Sequence, residues 1–109
     1  MDYHYKCSMR TGRGTESWTA GIDLLKVTKT GQYEAEIEGR GTYFHVIAGR
    51  HKYGNFLCIP NFNIGCELSD FSDLNWITER LCMSSMRKVD IITVATGISH
   101  LEKAAAASR

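Results

Sequence analysis

Two histidines and two cysteines fall within one stretch, residues 43–66, whose sequence is YFHVIAGRHKYGNFLCIPNFNIGC. Thiolate sulfur and imidazole nitrogen are preferred ligands of zinc, and a closed structural site takes four ligands. His45, His51, Cys58 and Cys66 therefore form a candidate set for one structural zinc ion. The set lacks the compact Cys-x2-Cys pairs that make a zinc assignment specific.

The zinc hypothesis depends on how this stretch folds. Segments 42–49 and 55–60 are apolar at nearly every position and are predicted to pair as a hairpin. If residues 50–53 form a four-residue loop, His45 faces Cys58, with Cβ atoms about 4.5–5.5 Å apart. The other two members of the set would join from the loops beyond the strands. A shift in register would remove the pair.

Two other interpretations fit the same residues. Cys58 could be a nucleophilic thiolate with His45 as its base, an arrangement that also needs a cleft, an orienting group and an oxyanion donor. Alternatively, both side chains only pack, since free cysteine behaves as a small hydrophobic residue. Zinc, a catalytic pair and packing all stay open at this point.

Length and charge limit the classes of protein that the chain can represent. The 109 residues fit a single domain, 1–109, and 43% hydrophobic with 23% charged residues is typical of a globular protein. The 13 basic and 12 acidic residues give a net charge of +1. This balance argues against a polyanionic nucleic-acid mimic, and we do not expect direct nucleic-acid binding.

The chain has no sequence that predicts export or membrane insertion. Its start, MDYHYKCSMR, has no apolar core like that of a signal peptide, and no apolar run approaches the 18–20 residues of a membrane span. We therefore expect an intracellular protein without a membrane partner. Cysteines in such a chain are expected to be free thiols or metal ligands rather than disulfides.

The first two-thirds of the chain has the alternating pattern of β-strands. It is clearest in QYEAEIE (32–38), which places Glu34, Glu36 and Glu38 on one face, where they could meet water or a basic partner. Segment 10–17 is polar and glycine-containing and is predicted to be a mobile loop. A second loop is expected over 61–68.

After Pro60 the apolar spacing becomes helical. Helices are predicted near 72–84, with Ser69 or Ser72 as the N-cap, and near 89–103, with 104–109 as a frayed tail. Gly97 inside the second helix costs about 1 kcal/mol relative to alanine, which indicates close packing there. The predicted fold is α+β: an antiparallel β-meander of four to five strands followed by two C-terminal helices packed on one face.

One further cluster could bind a partner. Arginines, a histidine and a lysine lie near two tyrosines around the second hairpin, and together they could contact RNA or an acidic protein surface, although solvated turns explain them better. Its members are Arg40, Tyr43, Arg50, His51, Lys52 and Tyr53.

Four segments, EIEGRGTYFHVIAG, GNFLCIPN, GCELSDFSDLNWITERL and VDIITVA, resemble a small protein family of unassigned function. That family is carried by phages, plasmids and integrative elements of Gram-positive bacteria. In size and character the chain is similar to type II-A anti-CRISPR proteins, which inhibit Cas9 and some of which bind zinc. The resemblance implies a protein in the cytoplasm of a bacterial host and supplies no functional residues.

Two functions of different classes follow as hypotheses. The first is a non-enzymatic phage or mobile-element inhibitor that binds Cas9, or its guide-bound form, and blocks nucleic-acid loading or cleavage. The second is a small cysteine-dependent or metal-dependent enzyme acting on mobile DNA or RNA.

Overall fold

The computed structural model describes residues 2–107 and places the strands before the helices. The strands are β1 (Tyr3–Thr11), β2 (Gly14–Val27), β3 (Gln32–Gly39), β4 (Thr42–His51), β5 (Gly54–Ile59) and β6 (Ile64–Leu68). The helices are α1 (Leu74–Cys82), α2 (Lys88–Ser99) and α3 (Leu101–Ala107).

All six strands form one antiparallel sheet in the order β1-β2-β3-β4-β5-β6, which curls into a half-barrel. The α+β meander is confirmed, but the prediction of four to five strands is wrong because β6 occupies the expected loop 61–68. A 3-10 turn over Pro60–Phe62 and a left-handed Asn63 (φ +55°) reverse the chain into β6. In β6, inward Ile64, Cys66 and Leu68 alternate with outward Gly65 and Glu67, which is the period-two pattern of a strand.

Segment 10–17, predicted to be a mobile loop, continues β1 and β2 as a hairpin. Thr11 pairs with Gly14, so only Gly12 and Arg13 form the turn. The expected irregular connection is therefore wrong, while mobility stays a prediction. Because β2 pairs with β3 only from Ala20 onwards, this end of the hairpin projects beyond the rest of the sheet.

The turn between β3 and β4 has only two residues. Gly39 pairs with Thr42, which leaves Arg40 and Gly41 as the turn residues, with φ of +55° and +83°. Positive φ at both central positions defines a type I′ turn, whose twist matches that of the flanking strands.

Helix positions differ from the prediction at their boundaries and in number. Asp73, rather than Ser69 or Ser72, caps α1: its Oδ1 accepts the Trp76 N–H at 3.1 Å, while Ser69 donates its hydroxyl to Oδ2 at 2.8 Å. The second predicted helix is divided at His100 into α2 and α3. Ala104 and Ala105 are buried in α3, so 104–107 are helical rather than a frayed tail, and 108–109 lie outside the described residues.

The helices cover one side of the sheet, as predicted. Alternate residues of the strands point towards them, including Ile22, Ile37, Phe44 and Val46, all at most 1% exposed. The apolar stripe predicted for the second helix is buried as expected, at Ile91, Val94, Ala95, Ile98 and Leu101. We call the helix-covered side of the sheet the inner face and the other side the outer face.

Helix α2 approaches the sheet closely at two glycines. A Cβ built on Gly97 would lie 2.5 Å from the Tyr5 hydroxyl oxygen and 2.8 Å from Ile37 Cδ1. A Cβ on Gly39 of β3 would lie 2.6 Å from Thr93 Cγ2. The close packing that the sequence indicated at Gly97 is confirmed, because hydrogen replaces a methyl group at the point of contact.

We expect Gly97→Ala to destabilise the protein by about 1–3 kcal/mol, although alanine normally stabilises a helix, because the added methyl overpacks the core. Chemical denaturation measures the change. Gly12→Ala, which has open space around it, is the matched control and should shift stability by less than about 0.5 kcal/mol. A stabilised Gly97→Ala variant would contradict the close approach.

His100, at the break between α2 and α3, connects the helices to β1. Its Nδ1 forms a 2.9 Å hydrogen bond with the Tyr3 hydroxyl, and its ring stacks on Tyr5 with centroids 5.2 Å apart. Burial lowers the pKa of His100, and the positive charge of Lys103 lowers it further. The folded protein therefore favours the neutral ring.

Stability should fall as the pH drops below about 6.5, the ordinary histidine pKa, because the unfolded chain then binds a proton that the folded chain resists. Above that pH the contribution is fully present. Urea denaturation between pH 7.5 and 5 measures it, and His100→Gln should flatten the fall while the exposed His4→Gln does not. An equal fall in all three proteins would show that His100 is not responsible.

Candidate functional site

The register of the β4–β5 hairpin determines whether His45 and Cys58 lie opposite each other, as predicted. His51 pairs with Gly54, so the turn has two residues, Lys52 and Tyr53, instead of four. Cys58 therefore lies opposite Ile47. The predicted pairing of His45 with Cys58 is wrong, and the two are diagonal neighbours on the outer face.

The His45 side chain is directed towards β3. Its backbone lies opposite Glu36, and its Nε2 contacts Glu34 Oε1 at 3.0 Å. Cys58 lies on β5, the strand on the other side of β4. The imidazole is therefore engaged by a carboxylate away from the thiol, which is not the geometry of a base activating Cys58.

The other predicted zinc ligands do not converge either. Cys66 lies opposite Leu57 on the inner face, whereas Cys58 lies opposite Gly65 on the outer face. His51 is at the hairpin end, where its Nδ1 accepts the Tyr53 N–H at 3.3 Å. Cys7, the nearest other cysteine before this stretch, is buried on the inner face of β1. Within residues 2–107, no group of three or more His, Cys, Asp or Glu side chains is arranged to hold a metal ion.

Burial makes two of the thiols less acidic than usual. It raises the pKa of Cys7 to about 11 and also raises the pKa of Cys66. Nucleophilic cysteines have a lowered pKa, because the thiolate is the reactive form. These two thiols therefore have the properties of packed residues.

The structure does not test for bound metal, so chelation is the direct test of the zinc hypothesis for His45, His51, Cys58 and Cys66. Because these side chains point to different faces and partners, we expect the unfolding temperature to be the same with and without a chelator. Elemental analysis of the untagged protein provides the second measurement. One zinc per chain together with a chelator-induced loss of stability would require the hairpin to rearrange around the metal.

The outer face carries side chains in strips that follow the strands. Residues that lie opposite one another on neighbouring strands form three rows across this face. The first row is Gly21, Glu38 and Tyr43, and the second is Asp23, Glu36 and His45. The third row is Lys26, Glu34, Ile47, Cys58 and Gly65. β3 contributes only Gln32 and the three glutamates. The glutamate face predicted from QYEAEIE therefore exists as a strip on this surface.

An apolar strip runs beside the acidic one. On β4 it contains Tyr43, which is 59% exposed, and Ile47, with His45 between them; on β5 it contains Phe56 and Cys58. Ile47, Phe56 and Cys58 are partly buried. On the far side of the acidic strip, the outward residues of β1 are His4, Lys6, Ser8 and Arg10. The outer face thus changes from basic at β1 to acidic at β3 and to apolar at β4 and β5.

The predicted cluster around the second hairpin does not form one patch. Arg40 and Arg50 lie at opposite ends of β4, which has ten residues and is therefore about 30 Å long. Arg40 pairs with Glu16 at 2.9 Å and lies over Trp18, while Arg50 pairs with Glu102 at 2.5 Å and lies over Phe71. Both arginines are engaged by carboxylates and aromatic rings of the chain itself.

The sequence contained a signal for the apolar strip that the prediction did not use. TYFHVIAG is apolar at nearly every position, on the outward side as well as the inward side. Only its inward residues are covered by helices, so the outward Tyr43 and Ile47 are the excess apolar residues. A strand that is apolar on both faces predicts either burial or an interface.

Comparison with known proteins identifies a family but no activity. A family model described as a family of unknown function, DUF6618, matches residues 3–106. The chain belongs to this family. Comparison with curated proteins and with solved structures gave no match.

The unassigned family expected from the sequence is thus confirmed, and the match carries no information on phage origin or Cas9 inhibition. Among residues 2–107, none of the helices has both the length and the apolar character needed to cross a membrane.

Proposed function

We propose that this protein is a non-enzymatic binding protein whose outer sheet face docks on a protein partner. The observation that carries the proposal is the segregation of side chains on that face, with an acidic strip on β3 directly beside an apolar strip on β4 and β5. The engaged imidazole of His45 and the raised pKa of the Cys66 thiol support binding over catalysis.

The apolar strip supplies the central contact of such an interface. Ile47 and Phe56 are diagonal neighbours across β4 and β5, and Tyr43 lies further along β4, beyond His45. All three side chains retain exposed surface on a face without helices. Aromatic side chains are enriched at protein interfaces, where burial of a few of them contributes most of the binding free energy.

The acidic strip defines the chemistry of the partner. Glu36 and Glu38 lie side by side on the outer face, with Glu34 next along the strand and held by His45. A surface rich in arginine and lysine would complement this strip and set the orientation of docking. The basic residues of β1 are two strands away and would lie at the rim.

The narrower proposal is that the partner is Cas9, which rests on the resemblance to anti-CRISPR proteins. Cas9 holds the guide–target duplex in a positively charged channel. A strip of three glutamates with adjacent aromatic residues could occupy part of that channel and block loading or cleavage. The near-neutral whole chain would do so as a local plug rather than as a polyanionic mimic.

Charge reversal on β3 tests the proposal. Glu36→Lys combined with Glu38→Lys should lower co-purification with Cas9 by about tenfold or more. The two glutamates attract the basic surface of the partner, whereas lysines at the same positions repel it. Glu79→Lys, an exposed glutamate on α1, is the matched control and should co-purify as the unmodified chain does. Capture is measured with and without guide RNA, and circular dichroism verifies the fold of each variant.

Inhibition of DNA cleavage should saturate at a fixed ratio of protein to Cas9. Substoichiometric inactivation would contradict a binding mechanism and favour an enzyme. No capture by Cas9 in either form would make the proposed partner wrong, and unchanged capture of the β3 variant would make the proposed surface wrong.

A further inference from the structure

Strand β6 forms one edge of the sheet, and the hairpin registers determine which of its backbone groups face outwards. The two-residue turn makes His51 and Gly54 a hydrogen-bonded pair, and such pairs then alternate along β4 and β5. The remaining residues of β5 bond to β6, at Leu57–Cys66 and Ile59–Ile64. Gly65 and Glu67 therefore direct their N–H and C=O groups away from the sheet.

A groove of about 240 Å³ lies along this edge, between β6 and the C-terminal half of α1. Its apolar lining includes Phe62 and Ile64 on the sheet side and Met83 on the helix side. Met83 is 80% exposed, which is unusual for a large apolar side chain. Methionine side chains adapt their shape and are used at surfaces that accept varied apolar groups.

A guanidinium group stands at the same groove. Arg80 lies over the Trp76 ring, 4.6 Å from its centroid, and lines the groove together with Gly65. Among the described residues, the arginines that pair with carboxylates are Arg40, Arg50 and Arg87, so Arg80 has no such partner there. A ligand carboxylate would complete its charge.

The edge is open over only a short length. The Trp76 indole N–H donates to the Glu67 carbonyl at 3.1 Å. The indole therefore already uses the next outward-facing backbone acceptor of β6 after Gly65. A segment lying along β6 can therefore use the N–H and C=O of Gly65 but must end near Trp76. Arg80, stacked on that indole, lies where such a segment would stop.

We propose that this groove binds the free C-terminus of an extended peptide, with backbone hydrogen bonds to Gly65, an apolar last side chain between Phe62 and Met83, and the terminal carboxylate on Arg80. Strand addition at a sheet edge supplies affinity through the main chain and specificity through side-chain pockets. The carboxylate adds a charge-assisted hydrogen bond. This site lies at the β6 edge and uses none of the side chains on β3, β4 and β5 that form the proposed docking surface, so it does not depend on the function proposed above.

The test uses the full chain, labelled with ¹⁵N, and an acetylated pentapeptide of sequence Thr-Val-Thr-Val-Leu with a free carboxylate. Amide shifts are expected at Gly65 and Glu67, together with a shift of the Arg80 side chain. The same peptide with a C-terminal amide should bind about tenfold more weakly, because it lacks the charged partner for Arg80. A third peptide, with a C-terminal amide and glutamate before the leucine, tests a side-chain carboxylate instead.

Variants separate charge recognition from a structural effect of Arg80. Arg80→Gln should weaken the free-carboxylate peptide about tenfold and leave the amide peptide unchanged, since only the first uses the guanidinium. Arg40→Gln is the matched control, because Arg40 also lies over an indole, that of Trp18 on β2, which is four strands from β6 in the sheet. Gly65→Pro removes the outward N–H at an edge position and should weaken both peptides.

Three results would overturn the proposal. No shifts at millimolar peptide would show that the groove is not a binding site. Shifts confined to the outer face would place binding elsewhere. Equal affinity for the glutamate-containing amide peptide would assign the site to acidic side chains rather than to a chain terminus.

Discussion

The close approach of α2 to the sheet is the constraint on which the rest of the molecule depends. Gly97 lets the helix pack against Tyr5 and Ile37, and Thr93 lies against Gly39 of β3. At this distance the Tyr5 hydroxyl donates to the Thr93 carbonyl at 2.5 Å, and the Trp18 indole N–H donates to the Thr93 hydroxyl at 2.9 Å. Polar groups that would be costly to bury alone are therefore satisfied within the contact.

This contact also determines which face of the sheet is left without helices. With α2 seated on β1, β2, β3 and β4, the other helices continue the same layer, and every second residue of the strands remains on the outer face. The outward residues of β4 and β5 include the apolar side chains of Tyr43, Ile47 and Phe56. They lie beside the glutamates of β3, and this arrangement of apolar and charged side chains is the one from which we propose an interface.

The chemistry of the His- and Cys-containing hairpin is set by one turn. Two turn residues instead of four move β5 by two positions relative to β4, so Ile47 rather than His45 lies opposite Cys58. His45 then has Glu36 as its cross-strand neighbour and Glu34 within 3.0 Å. Cys58 and Cys66 end on opposite faces because the β5–β6 register places them in successive pairs, Cys58 with Gly65 and Cys66 with Leu57. Successive pairs of a ladder point to opposite faces of the sheet.

The sequence alone determined the features that depend on neighbouring residues. Alternation in QYEAEIE established β3 and its acidic face, and helical spacing after Pro60 established a helical region with the buried stripe of α2. The close approach at Gly97 could also be predicted from the sequence. Glycine inside a helix lowers the stability of the helix relative to alanine, so its presence indicates that a larger side chain would not fit there.

Only the tertiary structure decided what depends on pairing between distant segments. The alignment of the strands produced β6, separated His45 from Cys58, and put Arg40 and Arg50 at two ends of β4. The position of α1 beside β6 produced the groove at Arg80. Local patterns do not specify register, because a shift along a strand preserves composition and spacing while it changes every cross-strand neighbour.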